Sequence, residues 1–436
     1  MAEQMKPSGI DWIGDIPESW DVVRIKDIGT YRNGLTYAPE DIIDDDNGTL
    51  VLRSSNIQNG KISYDDNVYV KCSVSPELMV KKGDIIICSR NGSRELIGKN
   101  AIIEKSGIAC SFGAFMMVYR CSCPRYMYYI LNSEVFSYYL GTFLTSTINQ
   151  LTGNNFGNMK IVFCKDHNER KKIVDFLGKE CAQIDSIAAN LEKQIALLQQ
   201  YKKSLITETV TKGLDKSVPM KDSGIEWIGE IPAHWDVEPI KYRVTFHNGD
   251  RGENYPSKSE LQSEGIPFIN AGHLEGDGLN MDNMDYISEE KYRIMGGVKL
   301  RSGDILYCLR GSVGKSAIVD MNQGTVASSL VAIRSVRISA EYLYYCLNSY
   351  IEEVQRYLWD NGTAQPNLSA DNLGKYKICI PTVEEQRTIV KYLNNICSQI
   401  DNLIIGKRKQ FSTIQQHKKS LIYEYVTGKK RVKEVQ

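Results

Sequence analysis

Two long stretches without proline, residues 169–211 and 385–427, carry apolar side chains at alternating steps of four and three residues. This spacing is a heptad seam, which is typical of helices that pack along one another as a coiled coil. The predicted seam positions of the first helix are Leu177, Cys181, Ile184, Ala188, Leu191, Ile195, Leu198, Lys202 and Leu205. Those of the second helix are Leu393, Cys397, Ile400, Ile404, Lys407, Phe411, Ile414, Lys418 and Leu421. Because neither helix can bury its seam alone, we expect the two to pack antiparallel as a rod roughly 60 Å long, at ~1.5 Å per residue.

The two helical stretches are copies of one sequence, and so are the segments that open each half of the chain. The helices align over 43 positions with 20 identities, and residues 5–22 return as residues 220–237 with 13 identities in 18 positions. Each opening segment contains glycine, proline and two tryptophans, which predicts an ordered loop rather than a helix. A repeat this long that occurs twice indicates a duplicated domain rather than a solenoid.

Between the opening loop and the helix, each half has a body of short apolar runs separated by glycine-rich turns, the pattern of a twisted, mixed β-sheet. The predicted strands are residues 50–52, 68–70, 84–88, 101–103 and 115–119 in the first body, and 267–269, 304–308, 317–319 and 330–333 in the second. A tyrosine-rich helix is predicted in each body, at residues 126–140 and 342–358. The predicted fold class is α+β, with two tandem bodies of mixed β-sheet plus short helices, separated by two long antiparallel coiled-coil helices and pseudo-two-fold symmetric.

Composition excludes some classes of protein. The 436 residues are 42% apolar and 24% charged, with a net charge of zero. No overall positive charge therefore indicates nucleic-acid binding, and such an indication has to come from local clusters of basic residues. The eleven cysteines and five histidines show no Cys-x-x-Cys or zinc-ligand spacing, so we expect no metal, and free thiols in a reducing cytoplasm. Because the sequence shows neither a signal peptide nor an apolar run long enough for a membrane span, cytoplasmic localisation is predicted.

The sequence carries no motif for catalysis. Residues 310–316, Arg-Gly-Ser-Val-Gly-Lys-Ser, imitate a phosphate-binding loop, but Leu309 stands where that motif needs its first glycine. No Asn-Pro-Pro-aromatic turn for adenine methyl transfer occurs, and no Ser/His/Asp or Cys/His set has a suggestive spacing. A chain of this length without such motifs is expected to bind rather than to catalyse.

The tandem order of loop, body and helix resembles the specificity subunit of type I restriction–modification systems, over about residues 5 to 428. The most specific shared elements are the Gly-Ile-(Asp/Glu)-Trp-Ile-Gly-(Asp/Glu)-Ile-Pro-x-x-Trp loops and the Lys-Lys-Ser-Leu-Ile blocks of the two long helices. The resemblance implies that the bodies are target recognition domains, each of which binds one half of a split site in double-stranded DNA. It also implies that the helices set the spacing of the halves and dock two DNA methyltransferase subunits.

The resemblance further implies partners, cofactors and domain boundaries. Motor–nuclease subunits would join the complex, and S-adenosylmethionine, ATP and Mg²⁺ would be bound by partner subunits, with no cofactor on this chain. The chain itself would not be catalytic, whereas the assembled complex would be an adenine-specific DNA methyltransferase and a site-specific deoxyribonuclease. The corresponding boundaries are 1–165 and 214–382 for the target recognition domains, 166–213 and 383–428 for the helices, and 429–436 for a basic tail.

Candidate DNA-contacting residues are polar side chains predicted in glycine-rich loops at strand ends, because phosphates require cations and base edges require forked polar groups. In the first body they are Arg32, Asn33, Arg53, Asn56, Arg90, Asn91, Ser93, Arg94 and Lys99. In the second body they are His247, Asn248, Arg251, Asn270, His273, Arg310, Ser312, Lys315 and Gln365. Residues 362–368 match the family's turn before the last strand, whereas residues 146–151 are a degenerate counterpart.

Two other interpretations of the sequence stay open. One is a protein-interaction scaffold that does not bind DNA, and the other is an enzyme with an unrecognised site in its bodies. A steep loss of binding with rising salt distinguishes DNA binding from protein binding. Turnover by the purified chain alone would reveal an enzyme.

Overall fold

Two long helices, His167–Lys212 and Val383–Val426, follow the two bodies of the chain in the computed structural model. Their bounds agree closely with the predicted stretches. The structure describes residues 4–44, 47–104, 110–144, 149–275, 278–359 and 367–432. The chain divides into two units, one formed by residues 1–192 and 409–436 and the other by residues 193–408. Each unit therefore contains one body, the beginning of the helix that follows it and the end of the other long helix.

Within the first unit, the segments of the two long helices pack against each other. The Lys418 ammonium lies 2.5 Å from the Asp185 carboxylate, and the ring centres of Phe176 and Tyr425 lie 4.5 Å apart. Residue numbers thus rise along one helix as they fall along the other. The two segments are antiparallel, as predicted.

The second unit repeats the same contact. The Lys202 ammonium lies 2.8 Å from the Asp401 carboxylate, and the repeat aligns these residues with Lys418 and Asp185. Both helix segments of this unit also contribute to a single hydrophobic cluster. The ion pairs explain the seam positions of Lys202 and Lys418, since each ammonium reaches a carboxylate of the opposite helix.

The predicted seam is the inward side of both helices. Its buried members are Leu177, Cys181, Ile184, Ala188 and Leu191, and Leu393, Cys397, Ile400 and Ile404. The half-buried members are Ile195, Leu198, Lys202, Leu205, Lys407, Phe411, Ile414, Lys418 and Leu421. Toward the C-terminal end of each helix the buried positions move to Ile206 and Val210, and to Ile422 and Val426, because the helix there also packs against a body.

A four-stranded antiparallel sheet, the main sheet, forms the centre of each body. In the first unit its strands lie in the order Asn100–Ile102, Ile85–Cys88, Met116–Cys121 and Gly29–Asn33. In the second unit the order is Ser316–Ile318, Ile305–Cys308, Leu330–Ser335 and Val244–Asn248. The first three strands of each order are predicted from their apolar runs. The fourth is not, because its polar residues interrupt the pattern.

A second, mixed sheet completes each body. In the first unit, Thr49–Leu52 pairs in parallel with Cys110–Phe112 and antiparallel with Tyr69–Val70, which pairs with Ile42–Ile43. In the second unit, Ile266–Ile269 pairs in parallel with Thr325–Val326 and antiparallel with Asp285–Ile287. The expected mixture of strand directions is therefore present in both bodies.

Shorter elements join the sheets to the rest of each unit. The two-stranded antiparallel pairs are Met5–Pro7 with Asp15–Pro17, Trp20–Arg24 with Lys160–Cys164, Ile57–Gln58 with Lys61–Ile62, Met220–Asp222 with Glu230–Pro232, Asp236–Pro239 with Lys377–Ile380, and Leu274–Glu275 with Gly278–Leu279. The short α-helices are Ile25–Ile28, Gly153–Asn158, Glu289–Ile294 and Ala370–Gly374. The opening loops are ordered, as predicted, and each contains a short hairpin.

Each predicted tyrosine-rich helix is in fact two helices. The four helices are Pro124–Leu131, Glu134–Phe143, Ala340–Leu347 and Tyr350–Trp359. The prediction of single helices is wrong because an Asn-Ser pair ends the first helix of each body. The Asn132 amide donates to the Tyr128 carbonyl and the Ser133 hydroxyl donates to the Ile130 carbonyl, so side chains satisfy the last carbonyls of the helix. Asn348 and Ser349 make the same bonds in the second body.

A buried tryptophan in the first opening loop contacts both long helices of its unit. Trp20 Nε1 donates to the carboxylate of Glu169, in the first turn of the first long helix, at 3.3 Å. A Cβ added to Gly428, just after the second long helix, would lie 3.2 Å from the Trp20 ring. Because Gly428 has a φ of +73°, glycine suits this helix end both in backbone conformation and in packing.

The second unit has the same joint with the two helices exchanged. Trp235 Nε1 donates to Glu385, in the first turn of the second long helix, at 3.0 Å. Gly213 follows the first long helix with a φ of +69°, and an added Cβ would lie 3.1 Å from the Trp235 ring. In each unit, one indole therefore holds the beginning of one long helix beside the end of the other.

A buried aspartate paired with an arginine of the main sheet also recurs. Asp84 lies 2.9 Å from Arg120, and Asp304 lies 2.7 Å from Arg334. Both carboxylates are buried and also accept a backbone N–H three residues earlier in the chain. Because a buried carboxylate is tolerated only when it is paired, each pair fixes the turn that leads into the central strand.

Leu198 faces the seam and its neighbour Leu197 is 53% exposed, so the two positions give a matched test of helix packing. Leu198→Asp places a charge on the apolar side and is expected to lower the free energy of unfolding by about 2 kcal/mol. Leu197→Asp should lower it by less than about 0.5 kcal/mol. Thermal unfolding followed by circular dichroism measures both effects. Equal losses at the two positions would contradict the seam.

Candidate nucleic-acid interface

A cleft in the first unit lies where the central strands of its main sheet end. Its volume is about 1200 Å³, and its walls are residues 35–37, 53–55, 66, 90–92, 113–116 and 149–150. Of the predicted DNA-contacting residues, Arg53, Arg90 and Asn91 line this cleft. The fold thus brings together three candidates that come from two separate loops.

Backbone hydrogen bonds fix the place of Arg90 at the start of its loop. The backbone N–H groups of Ser89 and Arg90 donate to the Phe115 carbonyl at 2.9 and 3.1 Å, and Arg90 forms an isolated β-bridge with Gln150. Its guanidinium carbon lies 5.2 Å from the centre of the Phe115 ring, which is 58% exposed. An arginine held over an exposed ring can neutralise a phosphate or hydrogen-bond the edge of a guanine.

The other two predicted residues of the cleft are bound to protein partners. Arg53 lies 2.8 Å from the Asp66 carboxylate, so its charge is locally neutralised. The Asn91 amide donates to Ser54 Oγ at 3.1 Å, and its carbonyl oxygen accepts the Ser93 N–H at 2.9 Å. Asn91 therefore shapes the turn that follows Arg90.

Three further candidates of the first body belong to the same loop but lie outside the cleft. Ser93 and Arg94 are exposed, and Arg94 Nη2 lies 3.5 Å from the Gly141 carbonyl. Lys99 is half-buried, with its ammonium 3.5 Å from the Ser54 carbonyl. All three remain predictions for DNA contact.

The expectation that all candidates lie in loops is wrong for four of them. Arg32 and Asn33 belong to the strand Gly29–Asn33, and His247 and Asn248 belong to the strand Val244–Asn248. Arg32 also forms an ion pair with Glu77. These side chains belong to the outer strand of each main sheet. The sequence does not predict that strand, because its polar residues interrupt the apolar pattern.

Asn56 and His273 are structural residues, so their assignment to DNA contact is wrong. Asn56 is fully buried, accepts the Arg53 N–H at 2.8 Å and donates to two backbone carbonyls. His273 is buried at the aligned position and accepts the Asn270 N–H through Nδ1 at 3.1 Å. Each side chain closes a single 3₁₀ turn and is buried, so neither is placed to contact DNA. Asn270 itself donates to Asp285 at 2.9 Å.

The surroundings of His247 disfavour its protonated form. Burial lowers the pKa of His247, and the nearby Arg334 lowers this pKa further. Its Nε2 lies 2.9 Å from the Thr245 hydroxyl. His247 is therefore better suited to make a neutral hydrogen bond than to act as a cation.

The second unit places Arg310 where the first places Arg90. Arg310 follows the strand Ile305–Cys308 and forms an isolated β-bridge with Asn367, whose side-chain oxygen lies 3.4 Å from Arg310 Nε. The Leu309 N–H donates to the Ser329 carbonyl at 2.8 Å, as that of Ser89 does to Phe115. Ser329 thus occupies in the second unit the position that the exposed ring of Phe115 occupies in the first.

The remaining candidates of the second body are mostly exposed. Arg251 Nη2 lies 3.5 Å from the Ser328 carbonyl, and the Lys315 ammonium lies 3.3 Å from the Leu274 carbonyl. Ser312 is exposed between two glycines of left-handed φ. Gln365 lies outside the described residues.

Electrostatics favour these loops as the phosphate-binding surface. Within the described ranges, six cations of the loops make no ion pair with a carboxylate: Arg90, Arg94, Lys99, Arg251, Arg310 and Lys315. Such cations attract a polyanion without first breaking an ion pair. The zero net charge of the chain therefore coexists with locally basic loops in each body.

Sequence reasoning misses part of the cleft. Phe115, Tyr37 and Gln150 line it but are outside the predicted set. The sequence signal for Phe115 is an aromatic residue after Gly-Ala, just before an apolar strand. Gln150 belongs to the segment 146–151, which the sequence marks only as a degenerate turn, and its place in the cleft follows from its bridge to Arg90.

The described residues also bear on metal binding and on membrane insertion. Among them, no group of three or more His, Cys, Asp or Glu side chains is placed to hold a metal ion. No helix in the same ranges is long and apolar enough to cross a membrane.

Comparison with known proteins connects this architecture to one family. A family profile described as "Type I restriction modification DNA specificity domain" matches residues 17–197 and 245–410. The type I restriction enzyme MjaX specificity subunit of Methanocaldococcus jannaschii is 30% identical over 438 residues, which cover 97% of this chain and 96% of the relative. The EcoKI specificity subunit of Escherichia coli is 23% identical, with 89% and 84% covered.

A solved structure shows the same fold. It comes from a study of "complex assembly and conformational transition of the type I R-M system" and superposes with a TM-score of 0.65. Its sequence is 17% identical, and the match covers 95% of this chain and 99% of that chain. The architecture of two bodies and two long helices is therefore shared despite the low identity.

Arg90→Ala and Arg310→Ala are each expected to weaken binding to duplex DNA by about tenfold, because each removes an arginine that no carboxylate neutralises. The control is Arg125→Ala, since the Arg125 side chain is 69% exposed, pairs with Glu104 at 3.6 Å and lies outside the cleft. Fluorescence anisotropy over a series of salt concentrations measures the affinity and its salt dependence. Losses no larger than that of the control would show that these arginines do not contact DNA.

Proposed function

The chain belongs to the type I restriction–modification DNA specificity family, and we propose that each of its two bodies reads one half of a split DNA site. As a member of that family, it is a DNA sequence-recognition subunit. One observation carries the proposal. Arg90 and Arg310 are fixed at the same place in a repeated frame, but different loops follow them.

The two loops present different chemistry on the same frame. After Arg90, the first loop contains a 3₁₀ turn, Arg94–Leu96, before it returns to the sheet. After Arg310, the second loop is shorter and turns at Gly311 and Gly314, with φ of +80° and +94°. Since base identity is read by the placement of donors and acceptors, two such loops suit two different base sequences.

The long helices are our candidate for the element that sets the distance between the half-sites. Each helix begins in one unit and ends in the other. Half-sites that are both read in the major groove would lie about one turn of the duplex apart, ~10 bp centre to centre. The sequence of the gap would be free, because no recognition loop would touch it.

A groove beside the helix pair supports the docking of two copies of one partner. It has a volume of about 1020 Å³ in the first unit and about 300 Å³ in the second. Aligned residues line both grooves: Tyr128, Asn132, Asp185 and Lys418 in the first, and Tyr344, Asn348, Asp401 and Lys202 in the second. A groove with these aligned residues in each unit is what the docking of two copies of one methyltransferase subunit would require.

The chemistry of the complex is assigned to the partners in this proposal. The methyltransferase subunits would bind S-adenosylmethionine and methylate adenine, and the motor–nuclease subunits would use ATP and Mg²⁺ to cut unmodified DNA. This chain would contribute recognition and geometry without a catalytic step of its own. The absence of catalytic motifs in the sequence agrees with that division of roles.

Replacement of residues 25–160 by the same segment of a relative should change only one half of the methylated sequence. The matched replacement of residues 240–376 should change only the other half. Sequencing of methylated adenines in cells that express each chimera with its partner subunits gives the answer. A chimera that alters both halves, or neither, would show that the bodies are not independent readers.

Insertion of four residues after Asn190 adds about one helical turn, ~6 Å, to the first long helix. At ~34 Å per turn of the duplex this is roughly two base pairs, so the gap between half-sites should grow by about one or two base pairs. A second variant adds four residues after Gly406, the aligned position, so that both helices lengthen together. Four residues inserted after Asp215, in the loop beyond the first helix, are the control. An active variant with an unaltered gap would mean that the helices do not set the spacing.

A further inference from the structure

In the second unit, the loop of residues 310–315 lies above a buried polar group. The Tyr307 hydroxyl donates to Glu352 Oε1 at 2.5 Å, and Arg356 Nε donates to the same oxygen at 3.1 Å. Tyr307 and Glu352 are buried, whereas the Arg356 side chain is 33% exposed. We call these three residues the polar triad.

The polar triad touches the loop through Arg356. A Cβ added to Gly314 would lie 2.8 Å from Arg356 Nε and 3.3 Å from Cδ. Gly314 has a φ of +94°, and its N–H donates to the Cys308 carbonyl at 3.1 Å. Because the guanidinium lies directly against this backbone, the position of Arg356 limits where the loop can lie.

The first unit has the same loop closure without a polar triad. The Gly98 N–H donates to the Cys88 carbonyl at 2.8 Å, as the Gly314 N–H does to Cys308. A Cβ added to Gly98 would collide with Phe136 and Leu140. These apolar residues align with Glu352 and Arg356, and the buried Ile87 aligns with Tyr307.

The aligned apolar residues of the first unit distinguish what the fold requires from what recognition requires. The first unit shows that an isoleucine, a phenylalanine and a leucine fill this place in the frame. A buried carboxylate paired with an arginine is often no more stabilising than an apolar set of similar size, because both charges must be desolvated. The charged group is therefore not needed to build the frame, and what distinguishes it is the fixed direction of its hydrogen bonds beneath the loop.

We propose that Tyr307, Glu352 and Arg356 are positioning residues for the recognition loop 310–315, and that they determine the base preference of the second body alone. The inference rests on the proposed function, because it assumes that the loop with Arg310 reads one half-site. The first body takes its preference from a loop supported by apolar residues, so changes in the polar triad leave that preference unaltered.

The test selects bound duplexes from a pool of random-sequence DNA with the purified full-length chain, followed by sequencing of the selected pool. The main variant is the triple substitution Tyr307→Ile, Glu352→Phe, Arg356→Leu, which copies the apolar set of the first unit and keeps the site filled. We expect one half of the selected motif to persist. At the other half, discrimination between bases should fall by about tenfold or more.

Single substitutions test the role of hydrogen-bond direction. Glu352→Gln keeps an oxygen that can accept from Tyr307 and Arg356, so it should retain the preference of both halves. Glu352→Leu removes that acceptor and should behave like the triple variant. The control is Arg387→Leu, since Arg387 is 73% exposed and pairs with Glu384 on the surface of the second long helix. It should leave both halves unchanged.

The outcomes distinguish this inference from the proposed function. If the unmodified chain selects no motif of two separated halves, the proposed function fails. If it selects such a motif and the triple variant selects the same one with equal discrimination, the polar triad does not position the loop. Loss of both halves in a triple variant that still unfolds cooperatively would also overturn the inference, because the effect would not be confined to one body.

Discussion

The joint at each buried tryptophan is the constraint on which each unit depends. Burial by itself would raise the pKa of Glu385, but hydrogen bonds with Thr382, Trp235 and His234 outweigh it and lower this pKa to about 2. The contribution of this carboxylate to stability is therefore complete above its unfolded pKa, near 4.5, and is lost as the pH falls toward 2. At neutral pH the carboxylate is charged, and it keeps the first turn of the helix against the opening loop.

The joint also explains how one chain builds two similar units. Trp235 meets the end of a helix that precedes it in the chain, whereas Trp20 meets the end of the last helix. The first unit is thus closed by the final segment of the chain, and Lys429 there donates to the Asp15 carbonyl at 2.6 Å. Duplication of loop, body and helix is sufficient for this, because each body needs only one helix start and one helix end.

The sequence predicts what depends on periodic apolar spacing. The two long helices and the central strands follow from that spacing, and so does the place of Arg90 and Arg310 after a central strand. Polar strands such as Gly29–Asn33 escape prediction, since no apolar run marks them. The assignment of Asn56 to DNA contact is wrong because the sequence alone does not distinguish a loop asparagine that closes a turn from one that reads a base. Gln150 and Phe115 join the site only through tertiary contacts with Arg90.

Buried charges sort into two kinds when the units are compared. The Asp84–Arg120 pair recurs as Asp304–Arg334, within the frame that both units share. The Glu352–Arg356 pair has only apolar counterparts and lies beneath a loop that differs between the units. An ion pair that belongs to the shared frame has to occur in both units, because each unit needs the turn that this ion pair fixes. A charge present in one unit alone is free of that requirement, and its consequences fall on the loop above it. In our proposal, recognition therefore diverges between the two bodies through residues that lie beneath a loop, while the frame that carries the loops stays the same.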